Sequence, residues 1–309
     1  MAVFLQEIFI PMMLTECFVG VAVNVFIVAV QIMKWKSMKS LDSCDQILLC
    51  LGLSKSLVLT NIFCEYLSRT YLLGVFKSQI VFTASSVAAT LLYFTNFWFL
   101  AVLCVFYCVK IATYNNPIFI FLKTRISRLV PWFIGASLLI SAALSIPCSW
   151  FIVLSIWQNS ASTFQGNITL SDAVRVPILK AQFMVFILGC CVPFFICCGS
   201  VCLLIHSLWR HTKLMMRCSR TGSGNPNVEA HVAAVKNMSV FLFFQAIDFG
   251  CCLISVFTFM HLNGFWKLFF VIIVCAAVSL NSAHIIYSNA NLNKAFRGMW
   301  LGILRSWSI

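Results

Sequence analysis

Seven stretches of this chain are apolar without interruption by a polar face: residues 8–33, 46–68, 82–109, 130–155, 182–208, 238–260 and 267–288. An amphipathic helix would bring polar residues round every three or four positions, and a membrane barrel strand would alternate over about ten residues. These runs do neither, and each exceeds the ~20 residues a helix needs to cross a hydrocarbon core. The pattern predicts an all-α, polytopic membrane protein. It is a seven-transmembrane-helix bundle forming one domain over 1–309, with a short tail at 289–309. Internal repeats, low-complexity tracts and a Gly/Ser linker are absent from the sequence. The first run is too long for a cleavable signal and has no basic lead.

Composition agrees with the pattern. The chain is 61% hydrophobic and 9% charged, with a mean hydropathy of +0.98. A soluble domain of 309 residues needs a polar shell that this composition cannot supply.

Charge then orients the bundle. Lys34, Lys36 and Lys39 follow the first run, and Lys110, Lys123, Arg125 and Arg128 the third. Arg210, Lys213, Arg217, Arg220 and Lys236 follow the fifth, and Lys294, Arg297 and Arg305 lie in the tail. The opposite side holds Arg69, Lys77, Arg175, Lys180 and Lys267, while Lys55 falls inside the second run. The basic side is expected to be cytoplasmic, with the N-terminus extracellular. The net charge of +13 therefore calls for anionic membrane lipid and not for nucleic acid. The sequon at Asn167 falls on the side expected outside, as a glycosylation site should, whereas the one at Asn237 falls inside.

Sixteen cysteines could suggest a disulfide scaffold, but nearly all sit within the apolar runs, where a thiol behaves as a small hydrophobe. The segment 156–180 has no cysteine to pair. Zinc-binding HExxH, the GxSxG elbow, phosphate-cradling glycine loops and paired carboxylates do not occur, so neither an enzyme nor a metal or other cofactor is expected. A transporter would show repeats with broken helices, and a channel polar stripes or charge rings.

Polar residues inside the runs are the candidate chemistry, since each is costly in lipid unless partnered. Glu16, Gly20 and Asn24 share one face of the first helix. Lys55 lies deep in the second and is expected to hydrogen-bond Asn24, with Asn281 or Ser282 as further partners. That group is either a structural clasp or a switch between two partner sets. Asp248 and Tyr93 lie at similar depth on the sixth and third helices. Asp248 is either the counter-ion of a cationic ligand or a hydrogen-bonded carboxyl tying the two helices together.

Several local sequences carry a resemblance. GVAVNVFI (20–27), LGLSK (51–55), FYCVKIA (106–112) with NPIFIFLKTRIS (116–127), PFFICCGSVCLLIHSLWRHTKLM (193–215) and EAHVAAVK (229–236) together resemble the type 2 taste receptors. These are the bitter taste receptors among the G-protein-coupled receptors. FYCVKIA stands where other rhodopsin-like receptors carry an acidic-Arg-aromatic triplet, and NSAHIIYSN (281–289) where they carry NPxxY. A vomeronasal-type chemosensory receptor is the nearest alternative. The resemblance implies a plasma-membrane receptor for bitter small-molecule agonists that activates a heterotrimeric, gustducin-like G protein. It places Ala89, Tyr93, Asp248, Cys252 and Val271 at agonist-cavity positions, with Asn96 and Phe97 one turn below Tyr93. It implies a G-protein-facing or switch role for Lys55, Tyr107, Lys110, Lys123, Arg125, His211, Lys213 and His231. Asn281-Ser282 replaces the family's His-Ser, Lys55 its arginine, and Asp248 an aromatic.

Overall fold

A computed structural model describes residues 2–71, 79–112, 114, 116–162, 183–218, 226–258 and 264–307. Its helices are α1 (Ala2–Met38), α2 (Ser43–Tyr71), α3 (Gln79–Ile111) and α4 (Pro117–Ser162). They continue with α5 (183–218), α6 (Pro226–Thr258), α7 (Gly264–Ser288) and α8 (Ala290–Trp307). Seven of them, α1 to α7, are long and apolar enough to cross a membrane, and no strand occurs among the described residues.

The helices outrun the apolar stretches. Residues 117–127, between the third and fourth apolar runs, form the first turns of α4, and EAHVAAVK, ahead of the sixth run, is part of α6. A proline starts each of these two helices. Pro117 and Pro226 occupy first-turn positions, where the missing N–H would have had no intrahelical partner anyway. At the end of α1, Lys39 takes a left-handed backbone (φ 55°) that closes the helix. Lys34 then pairs with Asp42 at 3.4 Å and with Asp45, pinning the short turn into α2.

Neighbours run α1–α2–α3–α5–α6–α7 and back to α1, with α4 outside against α3. Burial follows this order: 67% of α3's apolar window is buried but only 22% of α4's. Trp132 and Leu139 of α4 are 77% and 73% exposed, as suits a face turned to lipid rather than water. The main core gathers Leu48 and Leu51 of α2, Leu100, Leu103 and Phe106 of α3, Cys197 and Val201 of α5, and Ile285 of α7. A second core joins Met13 and Cys17 of α1 to Leu59 of α2 and Ile272 and Cys275 of α7.

Gly20 lets α1 approach closely. A Cβ there would stand 2.2 Å from Ser279 Oγ and 2.7 Å from Leu59 Cδ1. Asn24, one turn on, donates to the Gly20 carbonyl at 2.8 Å and accepts from the Ser282 hydroxyl at 2.8 Å. This corrects the expected Lys55–Asn24 bond. The serine of α7 occupies the Asn24 oxygen, and Lys55 Nζ has no hydrogen-bond partner among the described residues.

Of the prolines inside helices (Pro11, Pro131, Pro147 and Pro193), Pro131 and Pro193 each free a carbonyl that the structure answers differently. Pro131 removes the N–H that would bond the Ser127 carbonyl, and the Ser43 hydroxyl of α2 donates to that oxygen at 3.2 Å. Pro193 removes the N–H that would bond the Gly189 carbonyl, and α5 widens there into a π-helical turn over Ile187–Cys191. The Phe94 ring of α3 presses on the widened turn. A Cβ on Gly189 would lie 2.5–2.7 Å from its edge.

Candidate functional site

Helical spacing puts Ala89, Tyr93, Asn96 and Phe97 on related faces of α3. Tyr93 lies about 25 Å along the axis from the basic end marked by Lys110, at 1.5 Å per residue. Its hydroxyl donates to Asp248 Oδ1 of α6 at 3.1 Å. Asp248 is 3% exposed. This bond joins α6 to α3. Cys252, one turn on from Asp248, and Cys190 of the widened α5 turn are buried in the same group, against which Tyr93 packs.

Aromatic rings surround this contact. Tyr93 and Phe97 lie 5.2 Å apart, Phe97 meets Phe249 edge-on at 6.5 Å, and Phe249 stacks on Phe194 at 4.1 Å. Phe94 leans on Phe186 at 6.3 Å. The result is a buried aromatic group from α3, α5 and α6 with one carboxyl and two thiols at its centre. Ala89 is half-buried one turn beyond Tyr93. Val271 joins a different group, packing against the core of α1, α2 and α7. One turn nearer the basic end than the Tyr93–Asp248 contact lie Asn96 and Gln245. Both are 1% exposed, and Asn96 Oδ1 and both Gln245 amide atoms lack a partner among the described residues. Lys55 is also 1% exposed.

The basic end carries the remaining predicted residues. Lys110 is exposed where α3 ends and lies 5.3 Å over the buried Phe106 ring. Its stem therefore covers apolar surface while its charge stays outside. Tyr107 turns inward to the Cys44 thiol of α2 at 3.3 Å. Lys123 of α4 donates to the Ala112 carbonyl at 3.1 Å, satisfying an acceptor at the end of α3. Arg125 and Lys213 are exposed and sit over Phe121 and Trp209 of their own helices. His211 and His231 fall on α5 and α6, their side chains outside the described set, and Asn167 lies outside the described residues. A cleft with about 330 Å³ of open space lies between α2, α3, α6 and α7, lined by Leu48, Tyr107, Met238 and His284 among others. His284 Nε2 meets the Asn237 carbonyl at 3.0 Å beside it.

Sequence reasoning missed Cys190, Phe94 and Gln245. The signal for the first two is the spacing of Gly189 and Pro193, which marks where α5 must open. Gln245 had a signal too, a polar residue one turn from Asp248 in an apolar run.

The ring of apolar helices, with a polar-centred aromatic group in its middle and a cleft at its basic end, is a seven-transmembrane helical bundle. The chain matches the taste receptor protein family over residues 1–303. Taste receptor type 2 member 39 of Mus musculus is 31% identical over 294 residues, covering 95% of this chain and 91% of that protein. The protein of the same name from Homo sapiens is 29% identical over 299 residues (96% and 88%), and that from Rattus norvegicus 28% over 303 (95% and 91%). This chain belongs to the type 2 taste receptor family. It is a bitter-taste chemosensory receptor coupled to G proteins, a multi-pass membrane protein that answers small-molecule agonists.

Proposed function

We propose that the agonist enters from the end opposite the basic surface and lodges against the α3–α5–α6 aromatic group. Ala89, Tyr93, Asn96, Phe97, Asp248, Cys252 and Val271 form or border its cavity. The observation that carries this reading is the Tyr93–Asp248 hydrogen bond, a polar tie between α3 and α6 inside an aromatic shell. A ligand that binds one arrangement of that tie better than another shifts the population between them. The same two helices wall the cleft at the basic end, so a change in their relation above is felt below.

In this reading 1–309 is one receptor domain in the plasma membrane, its N-terminus and the Asn167 glycan outside. Lys110, Lys123, Arg125, His211, Lys213 and His231 face a gustducin-like heterotrimer and anionic inner-leaflet lipid, while Lys55 and Tyr107 bias the switch from within. Flat apolar molecules suit the rings, and cations would suit both rings and carboxylate.

The test is a calcium response in cells expressing the chain with a promiscuous G protein. Agonists found from a bitter panel should lose at least ~10-fold in potency in Tyr93→Phe, a coupling of order 1–3 kcal/mol, at unchanged surface level. Unchanged potency, or responses that persist without the G protein, would refute it.

A further inference from the structure

Most of the sixteen cysteines need no role beyond that of a small hydrophobe. Cys17 of α1 and Cys275 of α7 differ, because their sulfurs meet. Sγ lies 3.5 Å from Sγ, both residues are 0% exposed, and both thiols are free.

The contact belongs to a seam that fixes its register. Cys17, Gly20 and Asn24 of α1 meet Cys275, Ser279 and Ser282 of α7 in that order, so the two helices run in the same direction. From the thiols to the Asn24–Ser282 bond the chain advances equally on both helices, 17 to 24 and 275 to 282. That is about 10 Å at 1.5 Å per residue. Gly20 brings the backbones together between these contacts, and Met13, Leu59, Ile272 and Val278 pack in the same core as the sulfurs.

A disulfide holds its sulfurs at about 2 Å, so the bond needs roughly 1.5 Å of approach, which side-chain rotation can supply where backbones are this close. Glutathione and other charged thiol reagents work from water and through the thiolate. The apolar core around the sulfurs excludes both. An uncharged oxidant dissolved in lipid is better placed. Phe18 and Val19, next to Cys17 in the chain, are 69% and 56% exposed, so lipid begins on the adjoining face of α1.

We propose that Cys17 and Cys275 form a redox modification site, which lipid-soluble peroxyl radicals close to a disulfide that clamps α1 on α7. Each radical takes a hydrogen atom from one S–H and leaves as the hydroperoxide. Two such steps give two thiyl radicals at contact distance, and their unpaired electrons combine as the S–S bond. Neither step needs an ionised thiol. The bridge ties α7 to α1 two turns from the Asn24–Ser282 bond, on the helix that also walls the cleft through His284 and Ile285.

The test uses the purified full-length receptor in nanodiscs of saturated phosphatidylcholine. One sample receives a lipid-soluble azo initiator, which generates peroxyl radicals within the bilayer, and another a cationic, water-soluble one. Peptide mapping without reduction should find Cys17 joined to Cys275 after the first treatment and several-fold less after the second. No such bridge under the lipid-soluble initiator, or equal yields from the two, would overturn the site.

Thermal unfolding reads the clamp. The bridged wild type should melt several degrees above the untreated protein, and a membrane-permeant phosphine should reverse the rise. Cys17→Ala keeps a small apolar side chain, so it should lose both the bridge and the rise while retaining any bridge formed elsewhere. A mapped bridge without a rise, or a rise that persists in Cys17→Ala, would overturn the clamp. Cys275→Ala gives the same comparison from α7, should Cys17→Ala fail to fold.

Discussion

Single residues set how closely the helices approach. Gly189 allows the Phe94 ring against the α5 backbone, so Gly189→Ala should destabilise by about 1–3 kcal/mol through overpacking. Detergent unfolding should show the loss, and Phe94→Leu should restore part of it by shortening the ring that clashes. Asn24 and Ser282 form one buried bond between α1 and α7. Asn24→Ala and Ser282→Ala should each cost about 1 kcal/mol, with a double-mutant cycle giving a coupling near 0.6 kcal/mol, typical of hydrogen bonds between membrane helices. Gly20 and Asn24 were legible in the sequence as one face of α1. Their partners were not. Register along one helix follows from its own 3.6-residue period, but which neighbour that face meets depends on the rotation of α2 and α7. For that reason Lys55 was matched with Asn24, whereas Ser282 holds it.

Whole elements respond to prolines and to their ends. The widened α5 turn follows from Pro193, so Pro193→Ala should restore the ordinary bond to Gly189 and rotate Cys190 away from Cys252. Cysteine cross-linking shows this directly: an oxidant that joins Cys190 to Cys252 in the wild type should do so less in the variant. Lys123 completes the end of α3, so Lys123→Ala should lower maximal G-protein activation at unchanged surface level. The tail, read from sequence as a short segment, is the amphipathic helix α8. Asn289 starts it, accepting from the Asn291 and Leu292 amides at 3.1 and 3.3 Å, and Phe296 meets Phe26 of α1 at 5.7 Å. Trp300 and Leu301 are 55% and 58% exposed, and Lys294 and Arg297 share the helix. A helix of 18 residues is marginal alone in water. A peptide of residues 290–307 should therefore be largely unfolded in buffer and helical on anionic vesicles by circular dichroism, with salt weakening the effect.

At the scale of the molecule, the apolar runs and the distribution of Lys and Arg were enough for the class. Lipid leaves a backbone no alternative to the helix, and a span of ~20 residues is a length that can be counted. Local sequences around FYCVKIA and EAHVAAVK were enough for the family, because they survive in order along the chain. Side-chain chemistry at depth was legible only as a list: Lys55, Tyr93, Asn96 and Asp248 stand out because polar groups are rare in such runs. The tertiary structure alone decided which of them meet. Asp248 joins Tyr93, Asn24 joins Ser282, and Val271 packs with α1 and α2, because those contacts depend on helix rotation, on the turn at Pro193 and on glycines that let backbones close. A chain's own pattern encodes which face of a helix avoids lipid. The partner of that face belongs to the packed bundle.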